Sequence, residues 1–148
     1  MDTQPPTTSR GHEEPFAVQF SIFLANRVGQ LRELLEVFDA KQLRMLGISI
    51  FDSTDWAVIR VVLLDPNKAR AVLTGRGVPF TESDILLIEL IDDDTMAEVC
   101  DHLMRMELNI HVAFPLTLRN HDNAVMALHV DDRVLAAHVL TRHHFVLL

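Results

Sequence analysis

Residues 16–38 read FAVQFSIFLANRVGQLRELLEVF, and two structural periods meet inside that stretch. From Phe16 to Leu24 the residues Phe16, Val18, Phe20, Ile22 and Leu24 take one side, and Ala17, Gln19, Ser21 and Phe23 take the other. A period of two describes a strand with one buried face. From Leu31 the spacing changes: Leu31, Leu34, Leu35 and Phe38 recur at the helical interval, while Arg32, Glu33 and Glu36 fall elsewhere, which describes an amphipathic helix. The hexapeptide Asn26-Arg27-Val28-Gly29-Gln30-Leu31 joins the two. The first N–H groups of a helix have no intrahelical partner, and the helix dipole makes that end attractive to anions. A carboxylate or phosphate can be held there without any catalytic side chain.

Outward from this unit the chain continues in the same style. Gly47 ends the connection after the first helix, and Ile48 to Phe51 is a short strand. Asp52-Ser53-Thr54-Asp55 has turn composition, and Trp56 to Leu64 is β-branched and apolar, so the pair reads as a hairpin. Asp65-Pro66 opens a second helix, with a capping Asp and Pro at the first helical position. Ala69, Val72 and Leu73 form its buried face, Gly75 and Gly77 close it, and Val78 to Thr81 is a last strand. The order is β-α-β-β-α-β.

The order then repeats. Ile85 to Leu90 is a strand, and Thr95 to Met106 a helix with Val99, Cys100 and Leu103 inward. Ile110 to Leu118 and Ala124 to Val130 form a hairpin about Arg119-Asn120-His121-Asp122-Asn123. Asp131-Asp132 caps a helix with Leu135, Val139 and Leu140 inward, and His144 to Leu148 is the last strand. Leu46-Gly47-Ile48 is echoed by Leu108-Asn109-Ile110, and Val72-Leu73-Thr74 by Val139-Leu140-Thr141. A longer second hairpin loop absorbs the difference in spacing. The expected fold class is α+β: two ferredoxin-like βαββαβ units in tandem, each an antiparallel four-stranded sheet with two helices on one face.

Composition narrows the function. The chain has 148 residues and a formal net charge of −8. No basic stripe is present, which argues against nucleic acid as a partner. No run reaches the roughly 18 apolar residues of a membrane span. The single cysteine, Cys100, permits no internal disulfide and fits a cytoplasmic location. Met1 to Pro15, rich in Pro and Thr, reads as a disordered tail rather than a signal peptide.

Candidate reactive groups do not assemble. Seven of the eight histidines lie from His102 onward, yet only Cys100-Asp101-His102 and His143-His144 are tight groupings. Neighbours two apart on a helix do not share a face, and adjacent strand residues point to opposite faces, so neither grouping predicts a metal site. Asp92-Asp93-Asp94 reads as a helix cap rather than a cation site. No spacing suggests a nucleophile with its base, a Walker loop or a dinucleotide fingerprint. The chain therefore reads as a non-enzyme with no cofactor and no metal.

With the repeat in place, the chain resembles the ACT domain family, as a tandem pair without an attached enzyme, over residues 16–148. The family's first-turn signature is Asn or Asp, any residue, Pro, Gly, any residue, Leu. Asn26, Gly29 and Leu31 match it, and Val28 stands in the Pro position. The resemblance implies a first domain at 16–81, a divergent second domain at 82–148, and a regulatory or sensory role. It implies a small amino acid bound where ACT-like units meet, with Asn26, Arg27, Val28, Gly29, Gln30 and Leu31 as the ligand-binding turn. It also implies strand residues of a neighbouring unit completing the pocket, and the long apolar strands of such small units suggest a homodimer. The second unit has Ile91-Asp92-Asp93-Asp94-Thr95 at the equivalent turn, without Gly or Asn. Three carboxylates there repel a ligand carboxylate, so that half is expected to serve pairing. The alternative reading is a regulatory subunit controlling an amino-acid-biosynthetic enzyme by protein contact, similar to the acetolactate synthase small subunit.

Overall fold

Alternating apolar strands and amphipathic helices do form where the two periods place them. A computed structural model describes residues 17–25 and 28–148. Phe16, Asn26, Arg27 and the tail at 1–15 lie outside the described residues. The elements are β1 (Ala17–Ala25), α1 (Gln30–Ala40), β2 (Met45–Asp52), β3 (Trp56–Leu63), α2 (Pro66–Arg76), β4 (Phe80–Leu90), α3 (Thr95–Arg105), β5 (Ile110–Asn120), β6 (Asn123–Val130) and α4 (Arg133–Arg142). The β-α-β-β-α-β order therefore occurs twice, with corrections at β4 and at the last strand. Val78 to Thr81 and Ile85 to Leu90 are not separate strands: β4 runs unbroken from Phe80 to Leu90. It closes the first repeat and opens the second. The intervening Glu82-Ser83-Asp84 is polar but contains no Gly or Pro to end an extended backbone.

The chain forms two compact units. The first comprises Val18–Ser83 with Leu116–Leu118. Its strands run β2-β3-β1-β4, with β1–β3 and β2–β3 antiparallel. Phe20, Ile22 and Leu24 of β1 and Ile59 and Val61 of β3 share one face. Leu34 and Phe38 of α1 and Ala69 and Leu73 of α2 pack on that face to make a single core. The opposite face is not simply solvated. Gln19 and Val62 are fully buried and Ser21 nearly so, so β1 is buried on both faces rather than one.

The second unit comprises Asp84–Pro115 and Arg119–Leu148. Its strands run β4-β6-β5, both pairs antiparallel. Its core joins Leu86 and Ile88 to Val99, Leu103, Ala136 and Leu140 of α3 and α4. The fourth strand expected at His144 to Leu148 is reduced to one bridge, Ile88 with Leu147. Two sequence readings of its helices change. Cys100 is exposed, because Thr95, Val99 and Leu103 form the inward stripe of α3. On α4 that stripe is Arg133, Ala136 and Leu140, while Leu135 and Val139 are half-buried.

The second hairpin is not longer at its loop. Asn120 pairs with Asn123, leaving His121 and Asp122 as a two-residue turn, both at positive φ (49° and 64°). That is the type I′ conformation, whose twist matches antiparallel strands. The extra residues lie in β5 itself, where the ladder breaks between Pro115 and Arg119. Proline has no N–H to donate to the ladder, and it begins the irregular stretch. Leu116–Leu118, which sits in that break, is counted with the first unit, where the Thr117 hydroxyl donates to the Leu46 carbonyl at 3.0 Å.

Candidate functional site

Of the hexapeptide, Val28 and Gly29 form the turn before α1, and Gln30 and Leu31 are the first two residues of the helix. Ala25 is held opposite Trp56 of β3, which fixes where the turn begins. Val28 is fully exposed. Gly29 is the residue before the helix, at φ 90° and ψ −13°, in the left-handed region. Only glycine adopts that region at no steric cost. Its carbonyl accepts the first helical bond, from the Glu33 N–H at 3.0 Å. Leu31 is half-buried and packs on the core, anchoring the helix start. A glycine before a helix has no side chain with which to satisfy the first-turn N–H groups. The geometry is that of a turn offering backbone donors at the positive end of an eleven-residue helix.

The other helix starts differ in kind. The Asp65 carboxylate accepts from the Lys68 N–H at 3.1 Å, and Asp132 accepts from the Leu135 N–H at 3.0 Å. Both sequence-predicted caps are thus formed. At α3 the expectation needs correcting. Asp94 precedes the helix but makes no side-chain cap. Instead Asp92 Oδ1 accepts from the Asp94 N–H at 3.0 Å and from the Thr95 hydroxyl at 3.0 Å, while Thr95 Oγ1 accepts from the Asp92 N–H at 3.2 Å. A closed loop of hydrogen bonds forms because Asp92 can bond forward to its own turn while Thr95 bonds back. The α3 start has a carboxylate in the turn before the helix, whereas α1 is preceded by Gly29 and carries its acidic residue, Glu33, within the first turn.

The strand end at Ala25 and Trp56 belongs to an apolar surface that sequence spacing alone did not assemble. Strand pairing sets Phe23 opposite Val58 and Val58 opposite Phe51, a single row across three strands. On that face Phe51 and Trp56 remain about half exposed (60% and 51%), whereas the exposed Ile50 pairs with Ile59 on the opposite, core-side face. The available signal was the even parity of Trp56 and Val58 along β3, but only the register with β1 and β2 turns it into a row.

A second constellation was also invisible in the sequence. Glu89 sits inside an apolar run, yet its side chain is only 2% exposed and fully engaged. Asn123 Nδ2 donates to it at 2.8 Å and Asn120 Nδ2 at 3.2 Å, while His121 Nδ1 lies 3.2 Å away. The Asn123 hydrogen bond, above all, holds the carboxyl below its ordinary pKa, opposed by desolvation. This carboxylate clamps the β5–β6 turn. Asp131 does similar work. It accepts the Asn109 N–H at 2.8 Å and pairs with His111, and its pKa is lowered first by that backbone bond. Among the described residues, no group of three or more His, Cys, Asp or Glu is placed to hold a metal ion. No described helix is long and apolar enough to cross a membrane.

Comparison with known proteins agrees with this architecture. No curated protein sequence matches the chain. Among solved structures, protein BT0572 from Bacteroides thetaiotaomicron superposes with a TM-score of 0.81 at 24% identity, covering 90% of this chain and 92% of that one. The regulatory subunit of aspartate kinase from Thermus thermophilus, in its ligand-free form, gives 0.56 at 8% identity over 87% and 93%. The aspartokinase alpha and beta subunits give 0.54 at 15% identity over 87% and 96%. At these identities the likeness is one of fold. The family pattern described as the ACT domain pair matches residues 16–147, so the two repeated units are a pair of ACT domains and the chain belongs to that family.

Proposed function

We propose that the chain is a non-catalytic regulatory or sensory module that binds a small amino acid through the Asn26–Leu31 turn. The observation that carries this reading is the α1 start: a left-handed Gly29 with no capping side chain, where α2 and α4 are capped by aspartate. The ligand carboxylate accepts from the first-turn N–H groups, and Leu31 holds the helix that presents them. Membership of a regulatory domain family supports the absence of catalysis. In this reading a homodimer completes the pocket with strand residues of a neighbouring unit. The domains divide near residues 81 and 82, and the protein works in the cytoplasm. The carboxylate-lined start of α3 serves pairing rather than binding.

The test is a thermal-shift screen of the twenty amino acids at millimolar concentration. A ligand present at a hundred times its Kd stabilises by about 2.7 kcal/mol. One or a few amino acids should raise Tm in the wild type and leave Gly29→Ala unmoved. If none shifts the wild type, the sensor reading fails.

The second reading, control of a biosynthetic enzyme by direct contact, is favoured by the exposed Phe51 and Trp56 on one face of the sheet. Exposed apolar groups gathered in one place mark interaction surfaces. Capture of such an enzyme by the wild type, lost in Trp56→Ala with amino-acid binding intact, would favour it over the first.

A further inference from the structure

The C-terminal residues are held by few bonds and by an unusual ring packing. After α4 the chain turns at His144, which sits at φ 69°, and Phe145 N–H returns to the Leu140 carbonyl at 3.0 Å. Beyond it, only two backbone bonds tie the segment to β4: Glu89 N–H to the Val146 carbonyl at 2.9 Å, and Leu148 N–H to the Leu87 carbonyl at 3.0 Å. Segments with so few backbone bonds open locally at low cost. The side chains supply the rest. His102 of α3 stacks on His143, with centroids 4.0 Å apart and planes 26° from parallel. Phe145 meets the same His102 ring edge-on at 5.5 Å and 75°. Phe145 and Leu147 also rest on the core of the second unit. His102 thus contacts the segment on both sides of its turn.

Two neutral imidazoles stack without penalty, whereas two imidazolium rings at this distance repel. The surroundings reinforce the repulsion. Arg105 of α3, and Arg142 and His144 flanking His143, all act on His143 in the same direction, and Asp101 of α3 is engaged by Arg105 at 3.0 Å. We propose that the stacked His102–His143 pair is a pH-sensitive latch, which holds the Phe145–Leu148 segment on β4 at neutral pH and releases it on acidification. The direction follows from linkage. His143 binds its proton less readily in the latched form than when free, its pKa lowered first by desolvation and then by His102. As pH falls below the usual histidine value of 6.5, the released form gains protons first and is favoured.

Amide hydrogen exchange on the full chain tests this, with rates corrected for the intrinsic effect of pH. Between pH 7.5 and 5.5 the protection of the Glu89 and Leu148 amides should fall about five- to tenfold in the wild type. His102→Gln and His143→Gln should flatten that profile, and the exposed His138→Gln should keep it. A flat wild-type profile overturns the latch, as does an undiminished fall in both glutamine variants. Imidazole NMR titration of the unmodified chain gives a reading independent of any variant's folding. Mutually dependent titration of His102 and His143 supports the latch, and independent titration overturns it.

Discussion

Gly29 and Gly75 show how one residue type takes opposite meanings. A Cβ built on either meets no atom within 4 Å, so space does not distinguish them. Gly29 has φ 90°, whereas Gly75 lies inside α2. Gly29→Ala is expected to cost about 1–2 kcal/mol through backbone strain alone. Gly75→Ala is expected to stabilise by about 0.5–1 kcal/mol by stiffening the unfolded chain. Chemical denaturation of the two variants reads this difference in sign. Gly29 was legible because a turn signature surrounds it. Glu89 was not, since nothing in Ile85-Leu86-Leu87-Ile88-Glu89-Leu90 says that its carboxylate is buried among two asparagines and a histidine. Its lowered pKa gives a sign: the stabilisation is present above the ordinary value of 4.5 and is lost as pH falls through the depressed one. Glu89→Gln should therefore lower the urea midpoint at pH 7, and the gap to wild type should narrow at pH 4.

At the scale of elements, helix starts were easier to read than helix ends. Asp65-Pro66 and Asp131-Asp132 announce their caps by residue type, and Asp65 and Asp132 form them. Asp132→Ala is expected to cost about 1 kcal/mol. Asp94→Ala, whose side chain caps nothing, should change stability by less than about 0.5 kcal/mol. The ends of α1, α3 and α4 each place a non-glycine residue in the left-handed region: Gln42, Glu107 and His144. Each end closes with the same double bond pattern. Gln42 and Leu43 donate back to Asp39 and Phe38, and Glu107 and Leu108 to Met104 and Leu103. This is the Schellman motif, usually signalled by glycine. The missing glycine is why the sequence hid these ends. Gln42→Gly and Glu107→Gly are each expected to raise stability by about 0.5–1 kcal/mol, measured by urea unfolding.

Across the whole molecule, each unit carries its own core, and truncating either should be severe. Phe38→Ala in the first and Leu140→Ala in the second are expected to cost about 3–5 and 2–5 kcal/mol, read from calorimetry or denaturant. The sequence by itself determined the order of elements, the repeat, the caps of α2 and α4 and the position of the hexapeptide. These follow from periods of two and 3.6 and from the local chemistry of Gly, Pro and Asp, which act within a few residues. Only the tertiary structure decided that β4 is one strand, that the β5 irregularity takes the extra residues, and that Phe23, Val58 and Phe51 form a row. It alone brought Glu89 to Asn120 and Asn123, and His102 to His143. Those pairings join residues from 31 to 41 positions apart, or set the register between strands. Such pairings are selected by packing and hydrogen bonding over the whole unit, which no local pattern encodes.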